Sequence, residues 1–333
     1  MKRHISFVIM LAVAAVVPAT AFAQAPPQEG NPAVLDVNGE KIHAGEITIT
    51  MRNIAAQMGG QTDAENQEAL AQMAMQRMVE QKLLAQEARR TGIEASQERL
   101  AEMIRGVEQQ AGGREALASD LASFGMNLDE MTVYFREMEL TRSLIEHQIS
   151  PTIQVSDEEV TTFYDENPKL FDAAEQVRAR EIFFRLPLHA DADAVKETRA
   201  KAEDARQRAL AGEDFAELAR ELSEAPSAPD GGDLGFFTRE QAPPQYANAA
   251  FSTDPGGITP VVRTNAGCHV IKVEEKRPAR HLPLDEVFEQ VRTLLYQQKT
   301  GEAVSELVKA LAAKATIVNL VTGQPVVSQP PPQ

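Results

Sequence analysis

Two short segments hold the residues of this chain that could do chemistry. Residues 231–237 read GGDLGFF, and residues 264–273 read TNAGCHVIKV, which includes a hydroxyl, the single cysteine and a histidine. The glycine pair alone indicates a turn with positive φ. A lone histidine in a strand, such as His269, is more often a core residue with satisfied hydrogen bonds than a catalytic one. Taken one at a time, neither segment defines a reaction.

Several classes of chemistry find no support among the residues. The six histidines include no HxxxH pair, so zinc binding through such a pair is not expected. The single cysteine, Cys268, excludes an internal disulfide and reads as a buried strand residue. No G-x-S-x-G elbow and no Walker-type phosphate loop occurs in the sequence. We therefore expect no metal, no cofactor, and neither hydrolase nor nucleotide-binding activity.

In their order and spacing, the two segments resemble the parvulin-type peptidyl-prolyl cis/trans isomerases. Residues 214–219 (DFAELA) and the Ser223-Glu224 turn precede the first segment as they do in that family. The resemblance covers residues 176–277 and rests on several linked motifs. It implies an isomerase domain that grips proline-containing segments of other chains.

Isomerisation of an X–Pro bond requires no bond to break. The bond interconverts over tens of seconds at room temperature, because its rotation barrier is ~18–20 kcal/mol. A rate in the millisecond range needs roughly 5–6 kcal/mol of transition-state stabilisation. An apolar cavity that holds the ring and keeps water from the carbonyl favours the twisted amide, since hydration stabilises the planar form. The resemblance thus implies a hydrophobic cup with a few polar groups.

Matching the family pattern residue by residue gives two sets of site residues. The substrate-binding set consists of Leu234, Phe237, Ala242 and Tyr246. The catalytic set, which supplies the polar groups, consists of His269, Glu181, Thr264 and Ser223. Tyr246 stands where the family commonly has phenylalanine, so the ring is kept. Ala242 stands where methionine is usual, so the cavity is expected to be wider and shallower on that side.

Two polar positions depart from the family pattern. Glu181 takes the place of the first of two paired histidines, and Ala225 takes the place of a cysteine or aspartate. Glu181 can still accept a hydrogen bond from His269 or Thr264 and so hold a polar network together. Ala225 supplies no polar group. We therefore expect the apolar contacts with the prolyl ring to be kept and the electrostatic contribution to catalysis to be weakened.

The composition and the N-terminus describe an acidic, exported protein. The net charge of −16 argues against nucleic-acid binding, which needs a cationic surface. Residues 1–23 read as a cleaved signal peptide, with a basic start, a short apolar run and an Ala21-Phe22-Ala23 cleavage pattern. The run is shorter than the roughly 20 residues that cross a bilayer, and a non-cleaved anchor is the alternative. We expect a periplasmic location without stable membrane insertion.

The elements that must position these residues form a helical part and a small sheet part. Residues 33–42 read as a hairpin around an Asn-Gly turn, and residues 44–148 as almost wholly helical. This opening resembles the N-terminal chaperone domain of the SurA and PrsA type. Residues 176–277 read as a strand, a long helix, short helices and two closing strands, which is an α+β arrangement.

The predicted layout inserts the sheet domain into the helical one. A lone amphipathic helix must bury its apolar stripe, so residues 278–320 are expected to return to the domain begun by residues 33–175. Residues 24–32 are predicted to be a linker and residues 321–333 a disordered tail. The predicted fold class is α+β, a parvulin-like small sheet domain inserted in a mostly α-helical SurA/PrsA-like chaperone domain.

Two functions are consistent with this sequence. The first is a periplasmic isomerase and chaperone whose partners are unfolded or partly folded exported proteins with X–Pro segments. The second is a holdase with weak or absent catalysis that binds extended peptides through both domains, which Glu181, Ala225 and Ala242 favour. No feature of the sequence demands an oligomer.

Overall fold

The chain folds into two compact units. The computed structural model describes residues 12–13, 30–59, 64–187, 190–325 and 328–329. The first unit comprises Met1–Ser156 and Arg292–Gln333, and the second comprises Asp157–Val291. The second unit is therefore longer at both ends than the inner domain predicted from the sequence. The predicted signal peptide and the predicted linker up to residue 29 lie outside the described residues, apart from 12–13.

Helices dominate the first unit. They are α1 (Ala44–Gln57), α2 (Ala64–Arg90), α3 (Gln97–Ala111), α4 (Arg114–Ala122), α5 (Leu128–Leu144) and the C-terminal part of α10 (Leu284–Ala312). The strands are β1 (Ala12–Val13), β2 (Ala33–Val37), β3 (Glu40–His43), β10 (Ile317–Asn319) and β11 (Ser328–Gln329). Short helical turns follow α5 at Ile145–Ile149 and Ser150–Thr152. The hairpin and the helical character predicted for this part are confirmed where the chain is described.

Local sequence signals fix where these helices begin. Asn127 caps α5 by accepting from the backbone N–H groups of Asp129 and Glu130, while the Glu130 carboxylate accepts from the Asn127 N–H. Ser96 caps α3 by accepting from the Arg99 N–H. Such caps pair the donors that the first turn of a helix leaves without partners.

One apolar core joins both ends of the chain in the first unit. Leu35 and Met78 are fully buried there, and Val308 and Ile317 from the C-terminal segment pack into the same cluster. Strand β10 pairs antiparallel with β2, and Ile317 lies opposite Val37. The apolar residues in the C-terminal part of α10 are thereby covered by residues from the N-terminal half of the sequence.

The residues after β10 form a closed turn. The Gly323 N–H donates to the Asn319 carbonyl at 2.8 Å, and the Asn319 N–H donates to the Gln324 carbonyl at 3.0 Å. The side chain of the buried Asn319 also accepts from the Val321 and Thr322 N–H groups, so the structure places residues 321–325 of the predicted tail in a turn. The rest of the predicted tail, apart from β11, lies outside the described residues.

The second unit combines a four-stranded sheet with helices. Its helices are α6 (Asp157–Glu166), α7 (Ala192–Leu210), α8 (Phe215–Leu222), α9 (Pro244–Ser252) and the start of α10. Its strands are β4 (Asp172–Ala173), β5 (Gln176–Arg185), β6 (Asp233–Thr238), β7 (Val262–Arg263), β8 (Gly267–Arg277) and β9 (Arg280–His281). Short helical turns lie at Pro168–Phe171, Ala228–Asp230 and Arg239–Gln241. The predicted α+β class is confirmed.

The sheet has the strand order β6-β5-β8-β7, and each neighbouring pair is antiparallel. Successive side chains of a strand point to opposite faces. Ile182 and Phe184 of β5 accordingly share a core with α7 and α8, whereas Val177 and Ala179 share a core with α9. The sheet is therefore buried on both faces, and each face has its own helices.

The register of β5 against β8 brings two predicted site residues together. Phe183 lies opposite His269, and Glu181 lies opposite Ile271. Because side chains two residues apart share a face, Glu181 and His269 are diagonal neighbours on the face that α9 covers.

Strand β6 was not predicted. The sequence predicts three strands in this domain and a turn at the Gly231-Gly232 pair, but Asp233–Thr238 pairs with β5 as an edge strand. Its side chains are half-buried or exposed, and Gly235 within it has a φ of +64°. A short, glycine-containing edge strand lacks the alternating apolar pattern from which strands are inferred.

Candidate functional site

A cavity of about 310 Å³ opens on the face of the sheet that α9 covers. Its lining residues are Glu181, Leu234, Phe237, Gln241, Ala242, Pro243, Tyr246, Thr264, Ala266 and His269. Seven of the eight residues predicted from the sequence belong to this set. Strands β5, β6 and β8, helix α9 and the turns beside them therefore place the predicted residues around one hollow.

An aromatic cluster forms the apolar wall of the cavity. The Phe237 ring lies 6.0 Å from the Tyr246 ring and 5.8 Å, edge to face, from the Phe251 ring, measured between centroids. Leu234 completes the wall and is exposed at 36%. Phe251 is buried and does not belong to the lining, so it packs behind the Phe237 ring. Aromatic pairs at these distances add rigidity as well as buried area.

A chain of hydrogen bonds forms the polar wall. Glu181 Oε2 lies 3.1 Å from His269 Nδ1, and His269 Nε2 lies 2.9 Å from Thr264 Oγ1. An ionised carboxylate only accepts, so Nδ1 carries the hydrogen and donates to Glu181. In the neutral ring Nε2 then accepts, and the Thr264 hydroxyl donates to it. Thr264 Oγ1 also accepts from the Ala266 N–H at 3.2 Å.

Two aromatic rings hold the imidazole of His269. The Phe183 ring stacks on it with 4.7 Å between centroids, and the Tyr246 ring meets it edge to face at 5.2 Å. His269 is buried, with 9% of its surface exposed. An imidazole that packs against two rings and is hydrogen-bonded at both nitrogens has little freedom to move. Glu181, which can only accept, then determines that Nδ1 carries the hydrogen.

Tyr246 brings a hydroxyl into this wall. The side chain is 5% exposed, and its oxygen makes no hydrogen bond of normal geometry to a described residue. Burial, together with the nearby Glu181 carboxylate, raises the pKa of the Tyr246 phenol well above its usual range. The phenol is therefore neutral at physiological pH, and Tyr246 acts as an aromatic wall residue.

Ser223 lies outside the cavity lining. Its Oγ accepts from the Phe183 N–H at 3.0 Å and from the Ala225 N–H at 3.3 Å, at the C-terminal end of α8. The predicted catalytic placement of Ser223 is thus corrected to a structural one, since its hydroxyl binds the loop to β5. Ala225 beside it is buried and apolar, as expected from its type.

Three lining residues were missed in the sequence: Gln241, Pro243 and Ala266. Gln241 belongs to a capping box, in which its Oε1 accepts from the Thr238 N–H at 2.7 Å. The T-x-x-Q spacing from Thr238 is a readable signal for such a turn. No sequence motif marks Pro243 and Ala266 as lining residues, because the backbone path of the turns brings them to the cavity.

Gly232 allows the close approach that positions Glu181. Its carbonyl accepts from the Glu181 N–H at 2.9 Å, and its φ is +74°. A Cβ at this position would collide with the Glu181 carbonyl oxygen and lie 3.1 Å from the Glu181 nitrogen. The second glycine of the GGD motif therefore sets the contact between β5 and the turn before β6.

Known protein families match both parts of the chain. Residues 182–275 match the PPIC-type PPIASE domain, and residues 1–126 match the SurA-like N-terminal domain. The chain therefore combines a PPIC-type peptidyl-prolyl isomerase domain with a SurA-like N-terminal domain. The resemblance drawn from the sequence motifs is confirmed.

Among curated proteins, the chain is similar to proteins named Chaperone SurA. It is 30% identical over 247 residues to that of Aromatoleum aromaticum, covering 72% of this chain and 55% of the relative. It is 29% identical over 248 residues to that of Albidiferax ferrireducens, covering 73% and 54%. The chain spans about half the length of the curated relatives it matches. A solved SurA-like chaperone structure from Campylobacter jejuni aligns at 23% identity with a TM-score of 0.37, covering 85% of this chain and 98% of that chain.

Proposed function

We propose that this chain is an exported foldase that combines prolyl isomerisation with the holding of unfolded clients. The observation that carries the proposal is the cavity, where an aromatic wall faces the hydrogen-bonded chain of Glu181, His269 and Thr264. The match of residues 182–275 to the PPIC-type domain supports the reaction type.

The cavity would act by favouring the twisted amide. The apolar wall would hold the prolyl ring between Leu234, Phe237 and Tyr246 and keep water from the X–Pro carbonyl. In the polar wall, the Glu181 carboxylate can only accept and the Thr264 proton points to His269, so neither of these two groups donates to that carbonyl. A carbonyl that is removed from water loses the hydration that stabilises its planar, charge-separated form, so the barrier to rotation falls.

The clients would be unfolded or partly folded exported proteins that contain X–Pro segments. The similarity of residues 1–126 to the SurA-like N-terminal domain, and the chaperone relatives, support this class of partner. We place the protein in the periplasm, reached through a cleaved signal peptide at residues 1–23. In the described part of the chain, no helix is long and apolar enough to cross a membrane.

Cis/trans relaxation of a proline tetrapeptide, measured with and without the purified chain, tests the enzymatic claim. Micromolar protein should accelerate relaxation, and Phe237→Ala should reduce kcat/KM by about tenfold or more, the equivalent of ~1.4 kcal/mol. Phe236→Ala is the matched control, because this neighbour on β6 lies under the Arg277 guanidinium at 3.6 Å and not in the cavity lining. Absence of acceleration by the folded wild-type chain would remove the enzymatic claim.

A holdase with little catalysis is the second candidate. The observation that favours it is Ala225, which is buried and leaves the site one polar group short of the family pattern. Holding would then persist in the Phe237→Ala variant, as measured by suppressed aggregation of a denatured client. If Glu181→His with Ala225→Asp leaves turnover unchanged, the missing polar groups are not what limits the reaction.

A further inference from the structure

The cavity carries an uncompensated negative charge. Of the ten residues that line it, Glu181 is acidic and none is lysine or arginine. Glu181 is 14% exposed and forms its one ion pair, within the described chain, with His269. At a pH above the range in which histidine side chains ordinarily titrate, the wall beside a bound prolyl segment has a net charge of −1.

The neighbouring arginines do not neutralise this charge. Arg180 precedes Glu181 on β5, points to the other face of the strand, and lies 3.3 Å from Asp233 and 3.4 Å from Glu274. Arg263 of β7 lies opposite Cys268, whose side chain belongs to the core formed with α7 and α8. Both cations are therefore on the face of the sheet away from the cavity.

A third arginine near α9 is also engaged elsewhere. Arg239 lies over the Phe251 ring, 4.5 Å from its centroid, and 3.7 Å from the Glu175 carboxylate. The Arg239 charge thus interacts with Phe251, behind the apolar wall, and with Glu175, and it is not paired with Glu181. Burial limits screening of the Glu181 charge by water, since the effective dielectric constant is lower there than in bulk solvent.

We propose that this site selects prolyl segments by charge, and that it prefers a basic residue next to the proline over an acidic or phosphorylated one. This inference rests on the proposed function. A cavity of about 310 Å³ holds little more than a prolyl ring and its flanking peptide groups. The side chain preceding proline then lies within a Debye length of Glu181, ~8 Å at physiological ionic strength. Attraction of a basic side chain by Glu181 and repulsion of an acidic one both favour the basic segment.

Tetrapeptides that differ only in having lysine, glutamine or glutamate before proline test the proposal. The full chain is assayed at pH 8, above the range in which histidine side chains ordinarily titrate. We expect kcat/KM to fall in that order, with about a tenfold difference between the lysine and glutamate peptides at low salt. Raising the salt concentration should reduce the difference, because it screens the charge.

Glu181→Gln should make the three peptides nearly equal, because the amide keeps the acceptor for His269 and removes the charge. Glu197→Gln is the matched control: it changes the net charge of the protein equally, but on an exposed position of α7 behind the other face of the sheet. It should leave the preference unchanged. Equal loss of preference in both variants would assign the effect to the overall charge and overturn the proposal.

Failure of the proposal and failure of the proposed function give different results. A glutamate peptide that reacts as well as the lysine peptide, at low salt, overturns charge selection and leaves isomerisation intact. If no peptide is accelerated, dissociation constants for the same peptides, from fluorescence or NMR titration, decide the matter. The lysine peptide must then bind more tightly than the glutamate peptide in wild type, and equal affinities overturn the proposal.

Discussion

At the scale of single residues, the direction of each hydrogen bond in the site follows from Glu181. The carboxylate can only accept, which fixes the proton on His269 Nδ1 and leaves Nε2 to accept from Thr264. A histidine at position 181, as in the family pattern, could donate or accept, and the chain of bonds could then run either way. The substitution therefore changes which groups face the substrate as well as the charge of the cavity.

Thr264→Val tests this hydrogen-bonded chain. Valine keeps the shape but removes the hydroxyl that donates to His269 and accepts from the Ala266 N–H. A buried polar group left without its partner costs about 1–3 kcal/mol, so the free energy of unfolding of this domain should fall by that amount. Urea denaturation monitored by circular dichroism measures it. Thr264→Ser is the control, and equal losses in both variants would contradict the assigned bonds.

At the scale of elements, the turn before β6 sets the distance between that strand and β5. Gly232→Ala should be strongly destabilising, because the φ of +74° disfavours an L-residue and the new Cβ meets the Glu181 backbone. Gly212→Ala separates the two causes: its φ is +101°, but no atom lies within 4 Å of a Cβ there. We expect about 1–2 kcal/mol for Gly212→Ala and a further ~1–3 kcal/mol for Gly232→Ala. Equal costs would exclude the close contact as the cause.

Helices α2 and α5 are joined in the core of the first unit by an ion pair. Lys82 Nζ lies 2.6 Å from Glu137 Oε1, and both side chains are 5% exposed. Burial raises the pKa of the Glu137 carboxyl, while the Lys82 ammonium acts to lower it, so the pair carries a desolvation cost.

Either single change, Lys82→Met or Glu137→Leu, should cost about 3–5 kcal/mol, because one charge is left buried and unpaired. The double variant should recover most of that loss, since two apolar side chains pack without desolvation. A double-mutant cycle from denaturant unfolding gives the coupling. Additive losses would show that the two charges do not depend on each other.

At the scale of the whole molecule, the sequence predicts elements whose signals are local. The Asn-Gly turn is present, with positive φ at Asn38 and Gly39, and short helices follow the long helix of the sheet domain as predicted. Seven site residues converge because motif spacing encodes strand register. Strand β6 was missed since its pairing with β5, rather than its own side chains, makes it a strand. Ser223 was misplaced because its residue type is compatible with either a catalytic hydroxyl or a loop anchor.

The return of the C-terminal segment to the first unit could be inferred from the sequence only because its amphipathic helix must bury an apolar stripe. The partner of that stripe is fixed by contacts that no local pattern records. Tyr296 donates from its hydroxyl to the Ser150 carbonyl at 3.2 Å, and Lys299 Nζ donates to the Gln154 carbonyl at 2.8 Å. These bonds hold the chain before residue 156 beside the chain after residue 292.

A chain in which a short Gly/Ser linker replaces residues 157–291 should therefore fold as the first unit alone. Its two segments share one apolar core and the β10–β2 pairing, and their ends are already close. Circular dichroism should show a helical protein with a single cooperative thermal transition. Ending the same chain at residue 312 removes the buried Ile317 and the third strand of the β10-β2-β3 sheet, so this control should lose several kcal/mol of stability. If the shorter chain melts at the same temperature, the C-terminal strand does not stabilise this core, and the closure of the first unit depends on α10 alone.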